Sequence, residues 1–205
     1  LTQIRKRTLK ATWWIYVGFL IGAINVFLFT HNQWFNSREY GLTNTLRELS
    51  LLVAGISTLG TTSYLFKFFP YYEDNLEPGQ NDMLAFALKV SMAGFVLAAA
   101  ALYFMEPLIA RKFSARSPLL GEYFYFVLPM GFFILIFQVL EAYSYGHRKG
   151  VLTSFLKEVL VRLYTFIVII LKITGIIGFK TFILLFSIQY LVLVVVLVII
   201  LEREN

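Results

Sequence analysis

The sequence predicts an all-α, polytopic integral membrane protein with six transmembrane helices. Three observations carry that reading. From Thr181 to Leu201 the chain runs for 21 residues without a charge, and about 20 helical residues cross a bilayer core. Five more stretches of similar character precede it. The composition, 59% hydrophobic and 18% aromatic with only 15% charged residues over 205 positions, is far from that of a soluble globular domain. Six spans of about 20 residues use roughly 120 residues, so the connections are short and no separate soluble domain is expected.

The first span is placed at 11–29, preceded by Arg5, Lys6, Arg7 and Lys10. A cleaved signal would have a shorter apolar region ending in small residues. The exit here is His31-Asn32-Gln33-Trp34, which favours a retained anchor. The second span, 44–69, stops at Pro70. The third, 83–105, is followed by Pro107. The fourth, 123–142, contains Pro129 and Gly131, and the proline predicts a kink. The fifth, 155–173, is broken by Gly175 and Gly178. The sixth, 181–201, ends at Glu202-Arg203-Glu204. An acidic turn is expected over 72–79, and a short amphipathic segment lying in the headgroups around Arg111, Lys112 and Arg116. With the N-terminus inside, nine basic residues fall on the inner side and seven on the outer side. The four before the first span decide the orientation, and both ends of the segment are then cytoplasmic. Trp13, Trp14, Trp34, Tyr40, Tyr103, Tyr123, Tyr143 and Tyr145 fall at span ends, as interfacial belts do.

Several function classes are disfavoured. The chain has no cysteine, which removes disulfides and thiolate metal sites. His31 and His147 lie in separate loops, so neither a metal nor another cofactor is expected. The net charge of +6 is dispersed and is not built into an ordered basic motif, which argues against nucleic acid. No metalloprotease, nucleophile-elbow or phosphate-loop motif is present, and an enzyme is not expected. Membrane lipids and an anionic cargo explain the basic balance better.

The informative residues are the polar ones inside the spans, because a charge there normally faces a cavity or a partner. In the fifth span Glu158, Arg162, Thr165, Ile169 and Lys172 share one helical stripe, and Glu158 and Arg162 have the order and spacing of an ion pair. The stripe reads either as a cationic seam on an aqueous cavity or as an ion pair at one end and a snorkelling lysine at the other. In the second span Arg47, Ser50, Ala54, Ser57 or Thr58, and Thr61 form a polar, small-residue stripe, which suits either a cavity wall or helix packing. Glu48 accompanies Arg47. The first span carries Gly18, Gly22 and Asn25. The glycine spacing favours packing, and Asn25 at mid-membrane requires a partner. Lys89 lies two turns into the third span. Gln138 and Glu141 lie near the inner end of the fourth, where Glu141 could neutralise Lys89 or Arg162. The candidate site is thus a cationic cavity of Arg47, Lys89, Arg162 and Lys172, with Asn25, Glu48, Thr58, Gln138, Glu141 and Glu158 as supporting or coupling groups. Arginine suits phosphate because it offers bidentate hydrogen bonds.

Residues 16–22 (Tyr-Val-Gly-Phe-Leu-Ile-Gly) with Asn25, Glu39-Tyr40-Gly41-Leu42, Leu59-Gly60-Thr61-Thr62-Ser63 and Lys67-Phe68-Phe69-Pro70-Tyr71 resemble the start of bacterial Wzx-type polysaccharide flippases. These belong to the multidrug/oligosaccharidyl-lipid/polysaccharide exporter superfamily. The stretch from Ala142-Tyr143-Ser144-Tyr145 to Lys157-Glu158-Val159-Leu160-Val161-Arg162 is similar to them as well. The resemblance implies one six-helix lobe of a MATE-like transporter, the N-terminal lobe, with a C-terminal lobe of the same protein in downstream sequence. It implies a flippase that carries undecaprenyl-diphosphate-linked oligosaccharide across the bacterial inner membrane for cell-surface polysaccharide such as O-antigen, by alternating access. The family's cationic cavity maps onto Arg47, Lys89 and Arg162. Drug-exporting relatives carry an acidic residue in the first helix where this chain has only Asn25. A cation-coupled multidrug exporter of the same fold is the alternative.

Overall fold

A computed structural model describes residues 2–31, 33–75, 82–113 and 118–202. Its elements, in chain order, are α1 (Thr2–Thr30), α2 (Ser37–Ser57), α3 (Thr61–Asn75), α4 (Met83–Phe113), α5 (Pro118–Tyr123), α6 (Val127–Gly146), α7 (Gly150–Phe155), α8 (Val161–Ile173), α9 (Phe179–Ser187) and α10 (Gln189–Glu202). A 3-10 turn, Phe124–Phe126, leads into α6, and a π-helical turn, Leu156–Leu160, joins α7 to α8. Among the described residues all regular structure is helical. Four helical stretches are long and apolar enough to cross a membrane: Thr8–Thr30, Met83–Met105, Leu119–Gly146 and Phe179–Glu202. The pair α2 and α3 makes a fifth if it is counted as one bent span. The expected fifth span, 155–173, is helical throughout but carries Lys157, Glu158, Arg162 and Lys172, a charge load that sets it apart from the other four.

Pairing directions alternate as a multi-pass chain requires. Trp14 meets Phe155 edge to face, Gly18 meets Glu158, and Lys172 reaches Trp34, so α1 and the α7–α8 stretch run parallel. Ser50 donates to the Val127 carbonyl at 3.1 Å near the start of α6, and Thr58 shares a cleft with Glu141 further on, so α2 and α6 also run parallel. Thr61 bonds Ser91 at 2.7 Å while Tyr64 packs on Phe86, which makes α3 and α4 antiparallel. The core collects Leu42, Leu46, Leu65, Met130, Ile134 and Phe182, and a second cluster joins Phe137, Leu140 and Leu156 to Leu193, Leu197 and Leu201. Large apolar side chains on α1 (Trp13, Tyr16, Phe19, Leu20, Phe27) and α4 (Val96, Leu97, Tyr103, Phe104) remain exposed. So much apolar surface suits hydrocarbon, not water.

Several expected boundaries are corrected. The second span is not one helix over 44–69. It begins at Ser37, where Asn36 accepts from the Arg38 N–H at 3.2 Å and Glu39 accepts from the Asn36 N–H at 2.9 Å, a reciprocal cap. It then breaks after Ser57, with a 48° bend. Leu59 and Gly60 both adopt left-handed conformations, φ 47° and 81°, which ends the helix. For a leucine this costs about 1–2 kcal/mol, offset here because the Leu59 side chain packs against bare Gly94 of α4. The third span matches the expected 83–105, and its helix α4 continues past Pro107 to Phe113. Pro129 follows the 3-10 turn, inside the helical stretch Leu119–Gly146. It is the third residue of α6, in the first turn, where a missing N–H breaks no helical bond. Gly131 there lets α2 approach, because a Cβ would stand 3.3 Å from the Ser50 carbonyl oxygen. The sixth span is interrupted at Ile188, between α9 and α10. The start of the expected acidic turn, 72–75, is instead the end of α3, and residues 76–79 of it, Arg116, and Arg203-Glu204 lie outside the described residues.

The bend yields a test. A methyl at Gly94 would overlap the Ser57 carbonyl oxygen and crowd Leu59, so Gly94→Ala is expected to destabilise the protein by about 1–3 kcal/mol. Gly55, which has no neighbour within 4 Å of the same position, is the control, and Gly55→Ala should be neutral or slightly stabilising. Thermal unfolding in detergent compares the two, and equal melting temperatures would contradict the packing role of Gly94.

Candidate functional site

The polar residues are placed by a close helix contact in the molecule's interior. On α1, Gly18 and Gly22 stand one turn apart, against the π turn and the start of α8. A Cβ on Gly18 would overlap the Glu158 carbonyl oxygen, and one on Gly22 would lie 3.4 Å from Cδ of Arg162. Asn25, 6% exposed, donates from Nδ2 to the Arg162 carbonyl at 2.8 Å. Its partner is therefore backbone. Its Oδ1 is buried without a hydrogen-bond partner among the described residues. Arg162, Thr165, Ile169 and Lys172 follow one another along α8, about 15 Å from first to last, and the expected stripe of the fifth span does not face one cavity. Glu158 and Arg162 pair at 2.8 Å and stay partly exposed. Thr165 is buried and donates to Gln189 of α10 at 2.8 Å. Ile169 is fully buried, and Lys172 turns to the opposite end of the bundle.

Four of the expected residues do converge. Arg47, Glu141, Glu158 and Arg162 all lie within electrostatic reach of the Tyr190 hydroxyl group. They come from α2, α6, the π turn and α8, and Tyr190 comes from α10, where its ring packs on Phe137 at 5.7 Å. Tyr190 is not among the expected site residues, and neither is Lys157. The first is hidden in an apolar run, although Gln189-Tyr190 is a conspicuous polar dipeptide in that run. The second falls at the inner edge of the expected fifth span, yet its Nζ lies 3.3 Å from Glu141. Glu141, only 9% exposed, thus pairs with Lys157, where the sequence suggests Lys89 or Arg162.

Beside this seam, the break between α2 and α3 opens a cleft of about 250 Å³ against α6. Gly55, Thr58, Thr62, Phe66, Gln138, Glu141, Ala142 and Tyr145 line it. It gathers three expected supporting residues, Thr58, Gln138 and Glu141. Thr58 is also tied to its own helix, donating to the Gly55 carbonyl at 2.8 Å.

The remaining expected residues stand apart. Lys172 donates to the Trp34 carbonyl and to Glu39 at 3.1 Å, and its ammonium lies 3.7 Å from the Phe35 ring centroid. It is only 13% exposed at the side chain, so it clasps the α1–α2 turn and does not face the seam. Glu39 thereby serves both the α2 cap and the clasp. Lys89 is exposed on α4, on the side turned away from buried Ala87 and Ser91. Glu48 is two-thirds exposed and pairs at 3.4 Å with its neighbour Arg47. The seam itself therefore has no cationic excess: Arg47, Lys157 and Arg162 are each matched to Glu48, Glu141 and Glu158. Among the described residues no three acidic or imidazole side chains gather as a metal site.

The class of protein these features define is a multi-pass helical membrane protein with a charge-paired seam between its helices. Comparisons with protein-family profiles, curated proteins and solved structures give no match.

The clasp is separable from the seam. Lys172→Met leaves Glu39 and the Trp34 carbonyl without their ammonium, and each half-buried polar group so stranded costs about 1–3 kcal/mol. The variant should melt several degrees lower in detergent, and Lys89→Met, on the exposed face of α4, should not. Equal stability of the two variants would remove the clasp.

Proposed function

We propose that this chain is part of an exporter for a polyprenyl-diphosphate-linked oligosaccharide, working by alternating access in the bacterial inner membrane, with both ends of the segment cytoplasmic. The family resemblance supplies the fold class, a MATE-like lobe that works with a second lobe. The observation that carries the reading is the placement of Arg162 and Arg47 around Tyr190 at one partly exposed seam. A guanidinium binds phosphate through paired, charge-assisted hydrogen bonds. Each arginine is held by a carboxylate. A diphosphate brings two or more negative charges and competes with Glu158 and Glu48 for the arginines. Partial exclusion of water strengthens those attractions. The seam offers two arginines and Lys157 for this task, without Lys89 or Lys172.

A second reading has its own observation. The cleft beside the seam combines the Glu141 carboxylate with Phe66 and Tyr145, whose rings lie 5.8 Å apart. An acidic group flanked by aromatic faces suits an organic cation, as the alternative of a cation-coupled multidrug exporter requires. It is the weaker reading because Lys157 already occupies Glu141.

The two readings separate in cells. In the full-length protein Arg162→Ala is expected to lower surface glycan about tenfold or more, the effect of losing one charge-assisted contact of about 1.5–3 kcal/mol, at unchanged membrane level. Glu141→Gln should alter export far less. Wild-type glycan display by a well-inserted Arg162→Ala variant, or drug resistance that depends on Glu141, would reverse the assignment.

A further inference from the structure

The first helix brings no charge to the seam, yet it lies directly against the seam's best-held base. Its two glycines do different work. At Gly18 an added Cβ would strike the Glu158 carbonyl oxygen, and the Glu158 carbonyl carbon would stand 2.8 Å away. That position therefore sets how closely two backbones approach. At Gly22 the three nearest atoms all belong to the Arg162 side chain: Cδ at 3.4 Å, Nε at 3.5 Å and Cζ at 3.7 Å. No backbone atom is as near, so Gly22 is a bed for the guanidinium stem. The charged end continues past Gly22 toward Gly18, where Nη1 would stand 3.1 Å from a Cβ.

Two neighbours complete the holder. The Phe19 ring centroid lies 5.7 Å from the guanidinium carbon, within the range of a cation–π contact. Asn25, one turn beyond Gly22, fixes the Arg162 backbone through its carbonyl at 2.8 Å. The guanidinium is therefore located from its root to its tip by one face of α1, and Glu158 at 2.8 Å holds Nη2 at the far edge. Arg47 is held more loosely. Its side chain is about half exposed and it pairs at 3.4 Å with its own sequence neighbour, Glu48.

We infer that Gly22 is a positioning residue for anion binding at the seam, its missing side chain forming the bed in which α1 pre-sets the Arg162 guanidinium. This rests on the reading of the seam as a phosphate site. An arginine already immobilised gives up little rotamer freedom when phosphate arrives, and pre-organisation of this kind raises affinity without adding a contact. Arg162 is then the fixed arm of the seam and Arg47 the mobile one. An alanine at Gly22 makes ordinary van der Waals contact with the stem and is tolerated. A leucine fills the bed and expels the guanidinium, while the Gly18 backbone contact stays intact.

The test uses the full-length protein in lipid nanodiscs, with inorganic pyrophosphate as the probe and calorimetry as the readout. Gly22→Ala should bind like wild type. Gly22→Leu should bind roughly tenfold more weakly, a loss of about 1.4 kcal/mol, and should approach the affinity of Arg162→Ala. In the Arg162→Ala background Gly22→Leu should cost nothing further, because the residue it displaces is gone. A purely structural role predicts the same loss in both backgrounds, and that result would overturn the inference, as would unchanged affinity in Gly22→Leu alone. If wild type binds no pyrophosphate, the phosphate reading fails, and the positioning claim is read separately from the Arg162 Nε–H resonance, assigned by its absence in Arg162→Ala. Protection of that proton from exchange in wild type and Gly22→Ala, lost in Gly22→Leu, supports positioning; equal exchange in all three ends it.

Discussion

The contact between Gly18 of α1 and the Glu158 carbonyl of the π turn is the constraint that shapes the seam. Two helix backbones can come this close only where one lacks a Cβ. The approach also brings Gly22 under the Arg162 stem and Asn25 within reach of the Arg162 carbonyl. In hydrocarbon there is no solvent drive to press two apolar helices together, so packing and hydrogen bonds must hold them. The Asn25 amide, buried well inside its helix, makes such a bond, and the Trp14–Phe155 and Lys172–Trp34 contacts fix the two ends of the same parallel pair.

Charge pairing makes that arrangement tolerable inside a membrane. An unpaired ion at bilayer depth is costly, whereas one with a partner and a wet edge is not. Each charge near Tyr190 meets that condition. Glu141, the most deeply buried, has Lys157, whose half-exposed stem lets the ammonium stay near water. A seam built this way is neutral at rest. Under the proposed reading an anionic ligand would substitute for the carboxylates, which would tie binding to the release of Glu158 and Glu48.

The helical class and most span positions are legible because they depend on long apolar runs, which composition reports directly. The Glu158–Arg162 pair is legible because its partners stand one helical turn apart. The features hidden from the sequence are those set by tertiary contact. The break at Leu59-Gly60 depends on a leucine in a left-handed conformation, which local preference disfavours and only the bare surface of Gly94 permits. Pro129 reads as a kink because the start of its helix cannot be fixed within a few residues from sequence. Lys172 and Lys89 read as cavity bases for two reasons. A helical stripe does not say how far apart its members lie along the axis, and a helix wheel does not say which side faces its neighbours. Asn25 announces its need for a partner, but a backbone carbonyl 137 positions away leaves no mark in the sequence.

The bent second span and the π turn together explain why the seam is open at one side. The bend tilts α3 away from the line of α2 and leaves Thr58, Gln138 and Glu141 facing a cleft instead of a helix. On the other side, the π turn carries Lys157, whose ammonium meets Glu141. Both irregularities cost stability, one through left-handed residues and the other through poorer helical hydrogen bonding. Both lie next to the same carboxylate. A regular α2 would close over Glu141, and a regular α7–α8 helix would turn Lys157 by about 100° relative to α8. The two departures from regular helix therefore meet at Glu141, one opening the cleft beside it and the other carrying the lysine that pairs with it.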